Sequence, residues 1–465
     1  MTHQSSRPLT QALAQYVATL TPGDIPSAVR ERTVEMVLDG SGALLAAADP
    51  RLSTGRRIAA FARAQGGAEQ ATVVGHGFRT GAALAALANG TMGYACDVEP
   101  HHPAGVLHPI AVMAPTALAM SELAGAGGER LMTAIVLGCE IEYRLSMALG
   151  PVEQYNLGFH PSAVCGCFGA TAAASFVLGL GPEQLERAFG LAGCQASGLM
   201  AWETDPSENS RPFQMGMAAR NGVTAALLAA DGFGGPTGIF DRGHTVFGAF
   251  SRNPNPQRLV EDLGRTFDGI MELAIKPYSS VSFLHPALDA LLALAREDDL
   301  TIADIDRIAL RFPSSGAHCI DNNPLKSHCA QYILPVALSP TGLSVIDLFV
   351  DRRDGDPEIR RLSQRVTVIR DDELDREFPA RYASVIEVST RDGRRLSRRN
   401  DIARGYPETP MSADERTAKY ERLAGAIASP ARVAELKRTI ESLWQAPSIA
   451  AYAKLMGAPP DPAVR

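Results

Sequence analysis

Two stretches of this chain set histidines beside prolines and glycines: Asp97-Val-Glu-Pro-His101-His102-Pro-Ala-Gly-Val-Leu-His108-Pro109 and Gly158-Phe-His160-Pro-Ser-Ala-Val-Cys-Gly-Cys-Phe-Gly169. Imidazole is the side chain whose unperturbed pKa lies closest to neutral pH. Several histidines on segments that break helices therefore point to proton transfer on a bound substrate.

Other chemistries fit these residues less well. His101, His102 and His108 with Asp97 supply metal-ligand types, but neighbouring side chains at 101 and 102 diverge, and no H-x-x-x-H or H-E-x-x-H helix is present. No metal is expected. Cys165-Gly-Cys167 sits inside a helix start rich in glycine and alanine and reads as close packing rather than redox or zinc chemistry. Gly232-Phe-Gly-Gly lacks a preceding strand and a phosphate-loop lysine, which argues against nucleotide binding. Read alone, a His-Pro pair is also compatible with a turn whose polar groups are satisfied by backbone, and His101, His102 and His285 divide evenly between the two readings.

The elements that must position these groups follow from pattern. At 465 residues the chain is too long for one core, and a cleft between domains is expected. From Thr10 to about Phe250 apolar residues recur at three and four, punctuated by glycine or proline, which predicts helices such as Ala28 to Ala47, one opening on Pro182, and Arg220 to Asp231. Beyond Leu263 strand patterns appear at Ile305 to Phe312, Val366 to Arg370 and Ser384 to Ser397, the last divided by an Asp392-Gly393 turn. Helices are expected among them over Ser282 to Glu297 and near Leu334 to Phe349, and helical pattern returns from Ser412 to Met456. The expected fold is mainly α: a large all-helical domain (1–264 and 406–465) with a smaller α+β domain (265–405).

Composition narrows the partners. A net charge of -7 without a basic block gives no footprint for nucleic acid or an anionic membrane. The apolar runs Ile110 to Met120 and Ala170 to Leu180 are shorter than the roughly 18 residues a span needs, so they read as buried helices. Seven irregularly spaced cysteines do not make a disulfide framework, and no signal-peptide pattern precedes Leu9, so a cytoplasmic location is expected.

The ordered landmarks Ala88-Asn-Gly90, Asp97, His108-Pro109, Gly158-Phe-His160 with Cys165-Gly166, Arg211 through Gly216 with Ala218-Ala219, Gly232 to Pro236, Ile275-Lys276-Pro277-Tyr278, His285-Pro286 and Ala330-Gln331 resemble the MmgE/PrpD family. That family includes 2-methylcitrate dehydratase, cis-aconitate decarboxylase and iminodisuccinate epimerase. The likeness covers nearly the whole chain. It implies a helical domain with a lid, usually in a homodimer, an active site between the domains, and no metal or organic cofactor. Asp97, His108, His160 and Lys276 match the family's polar active-site residues. The chain departs from the family pattern with His101 in place of threonine, Arg211 and Gln214 in place of lysine and histidine, Tyr332 in place of phenylalanine or histidine, and Val336 in place of tyrosine.

The chemistry that the resemblance implies is removal of a proton from carbon next to a carboxylate, with cations held against the developing charge. His108, His160 and Lys276 are the expected catalytic groups. Asp97, His101, Arg211, Gln214, Tyr278 and Tyr332 are the expected contacts to a small polycarboxylate. Arg211 also has Glu203, Asp205 and Glu208 nearby in sequence as structural ion-pair partners. Because Gln214 and Val336 remove two acids for a departing hydroxyl, the expected reaction is epimerisation. A 2-methylcitrate dehydratase-like activity is the alternative, and a non-catalytic carboxylate-binding protein is the other class.

Overall fold

Three His-Pro pairs begin helices. His108 and His160 are the N-caps of Pro109–Ala124 and Pro161–Leu178, and His285 is the first residue of His285–Glu297. Proline suits the first helical turn because its missing N–H would have no partner there and its φ is already helical. Pro109–Ala124 and Pro161–Leu178 end at Gly125 and Gly179, both left-handed at φ 62° and 71°. His108, His160 and His285 thus stand at helix entrances, while His101 and His102 lie in the bridged turn segment that precedes the first of them.

The computed structural model describes residues 7–339, 355–378 and 381–464. The large domain is built of helices that approach closely through small residues. A Cβ on Gly90, in helix Ala82–Tyr94, would come within 2.9 Å of Gly216 Cα in helix Ser210–Ala230. Gly169 of Pro161–Leu178 meets the Gly138 carbonyl of helix Gly128–Leu149 in the same way, at 2.6 Å. The high alanine and glycine content therefore buys interhelical proximity, and dense packing replaces bulk as the source of cohesion. One short hairpin, β1 (Ala71–Val73) with antiparallel β2 (Phe78–Thr80), interrupts the helices. Pro161–Leu178 is long and apolar enough to cross a membrane by length and composition, but 89% of it is buried inside the protein, as a core helix would be.

The lid has its own core around Leu288, Leu291, Ile308, Leu310, Phe312, Ile386 and Val388. Its sheet runs β4-β3-β5-β6, where β3 is Ile305–Pro313, β4 Val366–Asp371, β5 Ser384–Thr390 and β6 Arg395–Asn400. β3 is parallel to β4 and antiparallel to β5, and β5 turns into β6. β6 alternates exposed and half-buried residues and carries Arg395, Arg398 and Arg399, charges that keep an edge strand from pairing further. Of the helix expected over 334–349, Ala330–Ala337 is seen, and 340–349 lies outside the described residues.

Phe267, Ile270, Leu273 and Ile275 pack in the helical core and Tyr278 in the lid core, so the chain crosses between them at Lys276-Pro277 rather than at 264. It returns between Tyr406, packed on the lid, and Met411, back in the helical core. The outgoing segment is pinned by a reciprocal pair of backbone hydrogen bonds between His101 and Ala274 and by Ile275 N–H to the Gly405 carbonyl. A Cβ on Gly405 would lie 2.0 Å from the Ile275 oxygen, and its φ is +95°, so glycine is required at this crossing.

Candidate active site

Where the two cores meet, a narrow cavity of about 80 Å³ is lined by Tyr94, Asp97, His101, His108, Trp202, Arg211 and Lys276 on the helical side and by Val281, Phe283, Cys319, His328 and Tyr382 on the lid side. The carboxylate and the two cations stand on the first wall, and the second carries the apolar Val281 and Phe283 together with His328. A roomier groove beside Phe78, Glu122 and Lys454 lies on the outside of the helical domain and holds none of these groups.

Asp97 organises the charged wall. Its backbone is left-handed at φ 50°, a conformation that aspartate tolerates better than most residues, and this aims its carboxylate between two cations. Lys276 Nζ donates to Asp97 Oδ1, and Arg211 Nη2 donates to Asp97 Oδ2 at 3.2 Å. Burial opposes ionisation of Asp97, but the Arg211 and Lys276 charges outweigh it and hold its carboxyl well below the usual carboxylate range. The Arg211 guanidinium lies 4.7 Å from the Tyr94 ring centroid and 5.3 Å from that of Trp202, between two π faces. Glu203, Asp205 and Glu208 are not its ion-pair partners.

A second array runs beside the first. His108 Nδ1 lies 2.7 Å from Glu99 Oε1, His108 Nε2 lies 3.0 Å from the Tyr94 hydroxyl, and Arg211 Nη1 donates to that hydroxyl at 3.3 Å. Burial raises the Glu99 carboxyl, Lys276 at 3.8 Å pulls it back, and Asp97 raises it again, leaving it at about 7. Burial and then the Lys276 charge hold the His108 imidazole well below the usual histidine range. Its side chain is 15% exposed, against 1% for Glu99 and Lys276, so His108 is the member of the group that reaches open space.

The other expected residues fall in distinct places. His101 lines the cavity with Nε2 3.4 Å from the Tyr406 hydroxyl, and its Nδ1, like Glu99 Oε2, finds no hydrogen-bond partner among the described residues. His160 stands just behind the wall, its ring centroid 6.3 Å from Tyr94 and 5.7 Å from Trp202. Gln214 holds His160 Nδ1 at 3.0 Å and donates to the Leu199 carbonyl, so it touches the site through His160. Two tyrosines are turned away from the cavity. Tyr278 donates to Asp289 at 2.6 Å, and Tyr332 is buried in the lid core under the Lys326 ammonium. Both elements bury these rings because their apolar faces complete the lid core, which outweighs the polar tip's preference for the cavity.

Sequence reasoning passed over Glu99, Tyr94, Trp202 and His328. Glu99 stands inside the histidine-rich segment, two residues from Asp97, and was legible there as a second carboxylate. The others come from elements with no local signal. His102 bonds the Asp268 carbonyl and the Gly105 N–H and stacks on Tyr143, and His285 bonds the Ser280 carbonyl inside the lid. Among the described residues no group of three or more His, Cys, Asp or Glu side chains is placed to hold a metal ion.

A helical domain, an α+β lid and a buried acid–base array where they meet define the class. The chain belongs to the MmgE/PrpD family: the family's N-terminal domain matches residues 11–259 and its C-terminal domain residues 278–445. It is 26% identical to cis-aconitate decarboxylase of Aspergillus terreus (strain NIH 2624 / FGSC A1156), over 97% of this chain and 96% of that one. The cis-aconitate decarboxylase of Mus musculus is 26% identical over 97% of this chain and 94% of its own. The 2-methylcitrate dehydratase of Cupriavidus necator is 27% identical over 48% of this chain and 49% of its own.

Proposed function

We propose that this chain is a cofactor-independent enzyme that removes and returns a proton at carbon next to a carboxylate of a small polycarboxylate. The observation that carries this reading is the contiguity of Glu99, His108 and Tyr94 with Arg211 and Lys276 along one wall. Arg211 and Lys276 are the cations for the substrate carboxylates and for the enediolate that forms when the proton leaves. Ionised Glu99 keeps the His108 proton on Nδ1, so Nε2 carries the lone pair and serves as the base.

Within that chemistry the reaction is epimerisation of an iminodisuccinate-like substrate. The support is that Tyr278 and Tyr332, two groups suited to protonate a departing hydroxyl, are held inside the lid. Decarboxylation of an unsaturated tricarboxylate is the second reading, favoured by the apolar lid wall of Val281, Phe283 and Tyr382, where a carboxylate would be poorly solvated, and by the end-to-end likeness to cis-aconitate decarboxylases. A cytoplasmic homodimer is part of the same proposal, and seven unpaired cysteines support a reducing compartment.

Incubation in deuterium oxide with iminodisuccinate, 2-methylcitrate and cis-aconitate, followed by proton NMR, separates the outcomes. Deuterium entering the α position without loss of carbon or water is the expected result. Itaconate formation replaces epimerisation with decarboxylation, and a new olefin from 2-methylcitrate replaces it with dehydration. Ligand-dependent melting with no turnover of any substrate overturns the enzymatic reading.

A further inference from the structure

A second imidazole is held in the manner of His108, against the same Arg211 nitrogen that meets the Tyr94 hydroxyl. His328 belongs to the lid, at the end of the turn Lys326–His328 that precedes helix Ala330–Ala337, and it lines the cavity. Its Nδ1 lies 2.9 Å from Ser327 Oγ, and Ser327 Oγ donates to Glu208 Oε2. Glu208 Oε1 accepts the Lys326 N–H at 2.9 Å and the Ser327 N–H at 3.4 Å, so both carboxyl oxygens are engaged as acceptors.

Proton counting then fixes the tautomer. A serine hydroxyl has one hydrogen, and here it goes to Glu208. Ser327 Oγ can therefore only accept from His328, which places the ring proton on Nδ1 and leaves the lone pair on Nε2. The partner of Nε2 agrees: it is Arg211 Nη1, a donor, at 3.4 Å. Burial and the Arg211 charge also hold this imidazole below the usual histidine range, with Asp97 pulling the other way. Both His108 and His328 thus have Nδ1 tethered, one to a carboxylate and one to a hydroxyl bound to a carboxylate, and both have Nε2 turned toward the Arg211 side of the cavity.

We propose that His328 is the second proton-exchanging residue of the site, working from the lid while His108 works from the helical domain, with Ser327 and Glu208 as its positioning residues. The proposal rests on the proton-exchange reading above and adds the group that returns the proton. An arriving polycarboxylate takes over the long Arg211 hydrogen bonds, and its negative charge draws a proton from solvent onto His328 Nε2. His108 then removes hydrogen from carbon as a proton, the C–H electron pair stays on the substrate as the enediolate, and His328 delivers its proton to the same carbon from the other side. One proton leaves and one arrives, and no oxidant or co-reactant is needed.

The test uses the full-length enzyme labelled with ¹⁵N-histidine, with His328→Asn to assign the signal. In the free enzyme at neutral pH, His328 is expected to show a bare Nε2 and a protonated Nδ1, and titration with propane-1,2,3-tricarboxylate is expected to protonate Nε2. Ser327→Ala is expected to disturb that tautomer while the fold, followed by circular dichroism, stays intact. In deuterium oxide, folded His328→Asn is expected to keep exchange at the α carbon of one epimer and to interconvert the two on the order of 10²- to 10⁴-fold more slowly. Unchanged interconversion, a bare Nδ1, or a signal that ignores the tricarboxylate overturns the assignment. If the unsubstituted enzyme exchanges no α hydrogen, the proton-exchange reading fails, and the tricarboxylate titration still decides whether His328 is the group that answers to a bound carboxylate.

Discussion

Glu99 and His108 meet at 2.7 Å between Oε1 and Nδ1, with Glu99 buried and His108 at the edge of the cavity. This contact sets which ring nitrogen carries the proton. With Glu99 ionised, Nδ1 is protonated and Nε2 is a base. With Glu99 protonated on Oε1, its O–H donates to an unprotonated Nδ1, the ring hydrogen sits on Nε2, and the base is lost.

The pH dependence follows from that relationship. Glu99 is pushed up to about 7, so kcat/KM for the proton-exchange reaction is expected to rise with pH through a limb near neutrality as the carboxyl ionises. Glu99→Gln is expected to abolish that limb and to lower kcat on the order of 10²- to 10⁴-fold, read from pH profiles of the two proteins. A profile with the same limb in the variant removes Glu99 from the mechanism.

Asp97 holds two buried cations, and its removal leaves Arg211 without its ion-pair partner and Lys276 with only the longer contact to Glu99 at 3.8 Å. Asp97→Ala is expected to destabilise the fold by about 3–5 kcal/mol, as breaking a buried ion pair does, and to abolish turnover. Denaturant unfolding measures the first effect. A loss below about 1 kcal/mol, the range of exposed pairs, would mean that water reaches Lys276 and Arg211.

Gly216 and Gly90 set the distance between the helices that carry Arg211 and Tyr94. A Cβ at Gly216 would lie 2.3 Å from the Leu87 carbonyl oxygen and 2.2 Å from Thr91 Oγ1. Gly216→Ala is expected to cost about 1–3 kcal/mol through overpacking and to lower kcat, because it separates Arg211 from the Tyr94 ring. Thermal melting and steady-state kinetics on the one variant test both parts.

Glu142 is buried in the helical core, and neither carboxyl oxygen has a hydrogen-bond partner among the described residues. Burial raises its carboxyl well above the usual range, so the folded chain keeps a proton that the unfolded chain releases. The sign is therefore a loss of stability as pH rises above the unfolded carboxylate pKa, about 1.4 kcal/mol per pH unit until the folded carboxyl ionises. Glu142→Gln is expected to flatten that slope in unfolding measured from pH 5 to 8. An unchanged slope would mean that Glu142 ionises normally in the folded protein.

Much of the fold was legible in the sequence because it rests on local rules. The expected Ala28 to Ala47 helix is found as Ser27–Ala47, and the helix opening on Pro182 as Pro182–Gly193. The Asp392-Gly393 turn separates β5 from β6, with Gly393 at φ +94°. Local rules placed helices after the His-Pro pairs but left open whether each histidine caps a helix or stands in a turn, since a turn and a first helical turn share the same residues. Nor could they reveal that Phe267 to Ile275 stay in the helical core, because an apolar run does not say which of two cores it joins.

Sequence alone determined the two kinds of domain, the family resemblance, and the presence of His108, Arg211 and Lys276 as groups able to move a proton and hold a carboxylate. Tertiary structure alone decided which of them meet. It drew Glu99 and Tyr94 onto His108, turned Tyr278 and Tyr332 into the lid, tied Gln214 to His160, and brought His328 to Arg211 from a position 117 residues away. The physical reason is that helix and strand periodicity is written in neighbours a few residues apart, whereas the charge and hydrogen-bond balance of a buried cavity is a sum over side chains brought together only by packing.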